Sequence, residues 1–329
     1  MKHLINDRSH LIEDMIDGLV AAYGGSVEKV GHVNAIVKKN IKDGKIALLV
    51  GGGSGHEPIY HGLIGENMAD AAAIGHIFAS PNPDIIYQAA KACHRGNGIL
   101  FVYGNYAGDN MNFDIASEML ADEGIEVKTV RINDDTATGD PESRRGISGL
   151  FFVVKIAGAV CAAVTNLDEA YRIVSKAVSR TRSMGTAFEP GTMLNTGKPT
   201  FTLAQDEIEI GMGIHGEPGV EVARIMPAHE LVGIMLQRIL DDLPYTAGDE
   251  VALLLNDLGS CTCMELLIAL KSVSEILKQR DIKVVYTHIG KVSTTMDMKG
   301  FSISLMQLDD ELKSYFFTNA NSLAFDFYR

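Results

Sequence analysis

Three short segments hold side chains whose type and spacing suit chemistry. The first, Gly51-Gly52-Gly53-Ser54-Gly55-His56-Glu57-Pro58, sets one imidazole among very small neighbours. A Gly-rich turn after a strand can cradle phosphate on backbone N–H groups. Here, however, no G-K-[ST] supplies the lysine and magnesium-binding hydroxyl of a P-loop, and His56 stands where G-x-G-x-x-G needs its third glycine. Two readings stay open: a polar ligand held by backbone amides and His56, or a tight turn with a structural histidine. The second segment, Gly104-Asn105-Tyr106-Ala107-Gly108-Asp109, ends in a carboxylate just before a helical pattern. Asp109 reads as a helix N-cap or as a general base for a substrate hydroxyl, and the two roles are compatible. The third, Gly211-Met212-Gly213-Ile214-His215-Gly216-Glu217-Pro218-Gly219, formally matches G-x-G-x-x-G. Pro218 and Gly219 preclude the helix that a dinucleotide fingerprint needs directly afterwards. Small neighbours leave room beside His215, and a neutral imidazole with room is a nucleophile toward carbonyls, a metal ligand or a proton carrier. With no helical H-E-x-x-H and no third spaced ligand, no metal site is expected.

The elements that must position these loops follow one grammar: an apolar β-branched run, a Gly-rich turn, a helical pattern, another apolar run. Lys45 to Val50 reads as a buried strand feeding the His56 turn, and Gly98 to Tyr103 as a second feeding the Asp109 loop. Met111 to Asp122 reads as a helix and Glu126 to Ile132 as the next strand. Leu150 to Val164 is apolar but interrupted by Lys155. It falls short of the ~20 residues of a membrane span, so it reads as a buried helix. The pattern recurs in a strand at Val251 to Leu255, a turn at Asn256 to Gly259, a helix from Cys263 to Lys278 and a strand at Ile282 to Thr287. Between these halves, Gly185 to Gly219 is irregular, with short strand patterns at Pro199 to Leu203 and Glu207 to Gly213. The expected architecture is α/β: two α/β domains, residues 1–185 and 186–329, with mixed, mainly parallel sheets covered by helices. In open sheets of this kind ligands sit beyond the carboxyl ends of strands, the address of both the His56 and Asp109 loops.

Composition narrows the class. With 329 residues against ~150 per domain, two domains with proper cores are expected. The 29 basic and 42 acidic residues leave a net charge of −13, which disfavours direct binding to nucleic acid or anionic membrane. The N-terminus MKHLINDRSHLIEDM lacks an apolar signal region, so the mature chain is expected to start there. Cys93, Cys161, Cys261 and Cys263 have no disulfide or zinc spacing, and reduced thiols in the cytoplasm are expected. One residue in ten is glycine, 33 in all, with no tryptophan. So many glycines mean many sharp bends and close backbone approaches.

Together GGGSGHEP, GNYAGDNMNF and GIHGEPG, in this order, resemble the dihydroxyacetone kinase K subunit (DhaK) family. Ser80 to Asp84, Arg144-Arg145-Gly146, Lys198 to Leu203 and Asp297 to Ile303 support the likeness, which covers essentially the whole chain. It implies a subunit that holds a small ketose for phosphorylation, with no cofactor of its own. By the resemblance, His215 adds to the substrate carbonyl as a reversible hemiaminal. Asp109 helps deprotonate the attacking oxygen, and His56 orients it or shares its proton. Gly53, Ser54, Gly55 and Gly104 complete the substrate site. A carbonyl trap selects ketones and aldehydes over glycerol-like polyols. The resemblance further implies a homodimer and a separate L-type nucleotide-binding subunit. That subunit would hold ADP recharged by the phosphotransferase system, or use ATP, in either case with magnesium.

Gly104 departs from the family pattern K-N-Y-x-G-D, in which a lysine lies at the substrate site. Losing that charge and bulk leaves room for a four-carbon ketose such as erythrulose. It also suits a non-catalytic, ketose-sensing transcriptional coactivator.

Overall fold

Ala47 to Val50 is unbroken apolar sequence, the pattern of a strand buried on both faces, and it lies inside the first sheet. The structure, a computed structural model, describes residues 3–328; Met1 and Lys2, the first residues of the segment read above for a leader, lie outside it. The first lobe comprises α1 (Leu11–Tyr23), β1 (Val27–Lys29), β2 (Ala35–Lys38), β3 (Ala47–Ser54), β4 (Gly65–Glu66), β5 (Ala71–Ile77), α2 (Pro83–Cys93), β6 (Ile99–Gly104), α3 (Ala107–Ala121), β7 (Val127–Ile132), α4 (Leu150–Ala163) and α5 (Leu167–Ser179). Its sheet runs β1-β2-β5-β3-β6-β7. The four strands from β5 to β7 are mutually parallel, and β2 and β1 close the other edge antiparallel. On one face α2 and α3 pack Ile86, Phe113 and Leu120 against Phe101 and Tyr103. On the other lie α1, α4 and α5.

The second lobe comprises β8 (Thr181–Glu189), β9 (Glu207–Ile210), β10 (Glu221–Arg224), α6 (Ala228–Asp242), β11 (Glu250–Asp257), α7 (Cys263–Gln279), β12 (Lys283–Gly290) and β13 (Lys299–Gln307). Its sheet, β10-β9-β8-β13-β11-β12, is antiparallel at every pairing except β11 with β12. The expectation of mainly parallel sheets therefore holds for the first lobe alone. Neighbouring β8, β13 and β11 are joined through other elements rather than by βαβ crossovers, and this lets them alternate in direction. Pro199 to Leu203 forms no strand; Pro199 makes only an isolated bridge to Thr192.

One helix explains how the lobes join. Every residue of α4 from Leu150 to Cys161 is buried, a pattern that needs protein on all sides. Its side chains share one core with the first sheet and with Ala252, Leu254 and Met306 of the second. The apolar run read as a buried helix is thus a slab between two sheets. Lys155 inside it donates to the Tyr315 carbonyl at 3.2 Å and stands over the Phe327 ring. The chain then ends in α8 (Asp310–Phe316), β14 (Ala320–Ser322) and β15 (Asp326–Phe327), and β14 pairs with β4 of the first lobe. A single division at 185/186 does not describe this arrangement. Gly185 lies within β8, opposite Ser302, and the last residues return to the first lobe.

Among the described residues, no helix is long and apolar enough to cross a membrane, and no group of three or more His, Cys, Asp or Glu is placed to hold a metal ion. The four cysteines are free thiols, three of them buried.

Candidate functional site

The first departure from the sequence reading is that Gly51 to Ser54 is strand, not turn. These residues extend β3 and pair with Ala73, Ile74, Gly75 and Ile77 of β5. They are small because the neighbours are close. A Cβ on Gly52 would fall 2.4 Å from the Tyr60 ring, and one on Gly53 would fall 2.8 Å from the Ala79 nitrogen. The chain bends only at Gly55, whose φ of +96° favours glycine. Ser54 Oγ donates to the Gly75 carbonyl at 2.7 Å, tying the strand end to its neighbour.

His56 follows that bend, 1% exposed. Its Nδ1 lies 2.7 Å from the Thr294 carbonyl oxygen. A carbonyl only accepts, so Nδ1 donates and Nε2 carries the lone pair. Burial, with the charge of His215, pushes its pKa down to about 3, which keeps the ring neutral. Nε2 is buried without a protein partner. Thr294 belongs to the connection between β12 and β13, so the second lobe orients a first-lobe histidine. The same connection grips the bend again, through the Thr294 and Met296 nitrogens to the His56 and Gly55 carbonyls at 3.2 and 2.8 Å.

Asp109 is not the N-cap expected for α3. The cap position is Tyr106, with no side-chain cap bond, and Asp109 lies within the first turn. There the helix N-terminus favours a carboxylate, yet burial dominates and raises its pKa to about 6 against the pull of the Ser80 hydroxyl and His215. Its Oδ1 is also buried without a protein partner. A carboxylate freed from capping has a lone pair for a substrate.

His215 lies in the loop between β9 and β10, turned by Gly211 and Gly216 at φ +84° and +83°. Glu217 binds it twice: Oε2 accepts the His215 backbone N–H and Oε1 meets Nδ1, each at 2.9 Å. Burial would raise the Glu217 pKa, but the hydrogen bond and charge of His215 outweigh it and hold it at about 2. An ionised carboxylate only accepts, so Nδ1 carries the hydrogen and Nε2 the lone pair in the neutral ring. Arg145 braces the loop. It pairs with Asp135 at 2.7 Å and donates to the Gly211 carbonyl at 3.0 Å.

The structure brings His56 and His215 together, and Asp109 lies near enough to feel the charge of His215. The His56 and His215 rings are 4.8 Å apart, and both contact Phe78, at 4.9 and 5.3 Å. The Tyr106 ring lies 4.7 Å from His215. Gly104 ends β6 directly beneath: a Cβ there would lie 3.2 Å from a Tyr106 ring carbon. The room left by Gly104 therefore borders Tyr106. Sequence reasoning did not assign roles to Glu217, Tyr106, Thr294 or Phe78. Glu217 was legible as a carboxylate two residues after a histidine, whereas Thr294 had no local signal.

Residues 17–324 match the Dak1 domain. The chain belongs to that family. It is 42% identical over 316 residues to the dihydroxyacetone-binding subunit DhaK of a PTS-dependent dihydroxyacetone kinase of Listeria innocua, covering 95% of this chain and 96% of that one. It is 36% identical to a D-erythrulose kinase of Mycolicibacterium smegmatis, covering 99% of this chain and 56% of that longer protein. The dihydroxyacetone kinase of C. freundii superposes with a TM-score of 0.92 at 30% identity, over 99% of this chain and 61% of the other. A dihydroxyacetone kinase operon co-activator, DhaQ, superposes at 0.91 with 26% identity, over 96% and 99%. The α/β fold of the Dak1 family is thus the fold of this chain.

Proposed function

We propose that this chain is the ketose-binding subunit of a dihydroxyacetone kinase, presenting a small ketose to a separate nucleotide-bearing L-type subunit. The observation that carries the reading is the convergence of two imidazoles from two lobes with a buried carboxylate close enough to feel the charge of His215, Nε2 of His56 and Oδ1 of Asp109 having no partner in the protein. The end-to-end likeness to DhaK subunits supports it. His215 Nε2 adds to the ketose carbonyl: the N–C bond forms and the C=O π pair moves to oxygen. That oxygen gains one proton while the ring gives one up at Nδ1, on the Glu217 side, leaving a neutral hemiaminal. Asp109, with His56 Nε2, then accepts the proton of the terminal hydroxyl as its oxygen attacks the donor phosphoryl group. Gly53, Ser54, Gly55 and Gly104 form the wall against which the ketose lies.

The nucleotide, ADP or ATP with magnesium, belongs to the partner subunit, and the PTS-dependent relatives favour recharging by a phosphotransferase-system protein. A cytoplasmic homodimer is part of the same reading. Erythrulose kinases among the relatives make a four-carbon ketose the second substrate to try. Identity of 42% to a kinase subunit against 26% to the co-activator favours catalysis over sensing.

The test mixes this chain with an L-type subunit, its phosphoryl donor and dihydroxyacetone, glyceraldehyde or erythrulose. A phosphorylated ketose is expected, with an adduct on His215 visible by intact mass. Adduct without product from any of the three would replace the kinase reading with the sensor.

A further inference from the structure

The capture step leaves a charge to be stabilised: the oxygen that receives the carbonyl π pair needs a hydrogen-bond donor in place as the bond to His215 forms. The polar atoms already described are poor candidates. His56 Nε2, Asp109 and Glu217 offer lone pairs, the hydroxyls of Ser54, Thr294 and Thr295 donate to the Gly75, Glu57 and Ile214 carbonyls, and that of Ser80 is taken up by the Pro81 carbonyl and Asp109. Tyr106 differs. Its hydroxyl is buried without a hydrogen-bond partner in the protein, and its ring stands edge-on to His215 at 4.7 Å and 72°. A buried hydroxyl without a partner is destabilising, a cost that a ligand oxygen would relieve.

Resting on the ketose-capture reading, we infer that Tyr106 donates its phenolic hydrogen bond to the oxygen formed when His215 adds to the ketose, with no charged side chain at position 104 to compete for it.

The hydroxyl keeps its proton throughout. Burial, reinforced by the Glu217 and Asp135 carboxylates, pushes its pKa well above the ordinary phenol value, so the group donates a hydrogen bond and is not itself deprotonated. The oxygen's covalent proton is the one balanced by the loss at His215 Nδ1. Gly104 enters through sterics. A Cβ there would meet the Tyr106 ring at 3.2 and 3.3 Å and the Gly146 carbonyl oxygen at 3.4 Å. Those separations are tighter than ordinary van der Waals contact on the ring side, so a Cβ there needs the ring to give by tenths of an ångström. In a chain with lysine at this position, a cation would stand where this chain has only space bordering a tyrosine. The family pattern K-N-Y-x-G-D keeps a tyrosine two residues after its lysine, so glycine at 104 removes the cation and leaves Tyr106 as the neutral donor, a determinant of which carbonyl compounds are held.

The test is Tyr106→Phe in the full chain, which keeps the ring and its packing. The ketose concentration giving half-maximal His215 adduct is measured by intact mass against dihydroxyacetone and erythrulose. With the hydrogen bond lost, that concentration is expected to rise roughly 10-fold or more, while thermal melting stays within a few degrees of wild type. Gly104→Ala, read in the same way, is expected to produce a smaller rise, because the ring has only tenths of an ångström to give. Unchanged capture by Tyr106→Phe would overturn the inference. Absence of an adduct in the wild type, with the same protein folded, would instead overturn the ketose-capture reading and take this inference with it.

Discussion

The two histidine loops are the instructive pair. Both place an imidazole beside a glycine-made bend, and their rings are 4.8 Å apart, yet their Nδ1 atoms face different partners. His56 donates to a backbone carbonyl of the other lobe; His215 donates to the carboxylate two residues along its own loop. A carbonyl fixes orientation but gives little support to a positive ring, and burial holds His56 near a pKa of 3. A carboxylate fixes orientation and would also stabilise charge developing on a ring that attacks a carbonyl, as proposed for His215. On the proposed function, the same side chain is thus suited to be a neutral acceptor in one loop and a nucleophile in the other. The division of labour comes from the residue facing Nδ1.

Removing the nucleophile breaks this comparison most severely. His215→Ala is expected to abolish the ketose adduct in intact-mass spectra and to lower turnover by roughly 10³-fold or more, without unfolding, because the side chain is partly exposed. Asp109→Asn comes next. It is expected to retain the adduct while turnover falls by roughly 10²–10⁴-fold, since capture and proton removal use different residues. Its pH signature has a definite sign: the carboxylate must be ionised to accept a proton, so wild-type turnover rises with pH through about 6. That limb should disappear in the Asn variant.

Glu217→Gln sharpens the contrast by turning the carboxylate into a neutral amide, closer to the partner of His56. Adduct formation is expected to slow by roughly 10–100-fold; an unchanged rate would mean that Glu217 only shapes the loop. A further test concerns acid stability rather than turnover. His56 has a folded pKa of about 3 against an ordinary 6.5, so the unfolded chain binds its proton first. The stability this contributes is complete above pH 6.5 and is lost as pH falls toward 3. Denaturant titrations of His56→Asn across that range should show a shallower loss than wild type.

Much of this was legible locally. Buried strands announced themselves through Ala47 to Val50 and Ile99 to Val102, because a strand covered on both faces must be apolar at every position. The glycines around each loop were visible too, but their meaning was not. Gly52 and Gly53 looked like a turn and are strand, since no local pattern reveals that the Tyr60 ring and the Ala79 nitrogen crowd them from other segments. Asp109 looked like a cap for a similar reason: its position before an apolar run fits both an N-cap and the first turn.

By itself the sequence determined the residues able to react, the two α/β halves and the spacing that puts small neighbours around His56, Asp109 and His215. Those follow from side-chain chemistry and hydrophobic periodicity, which are properties of neighbours along the chain. Tertiary structure decided what each group does. The carbonyl that fixes the His56 tautomer is 238 positions away at Thr294, and α4 holds the lobes that bring the two histidines together. Tautomer, burial and pKa depend on what lies across space, and only the folded chain supplies those neighbours.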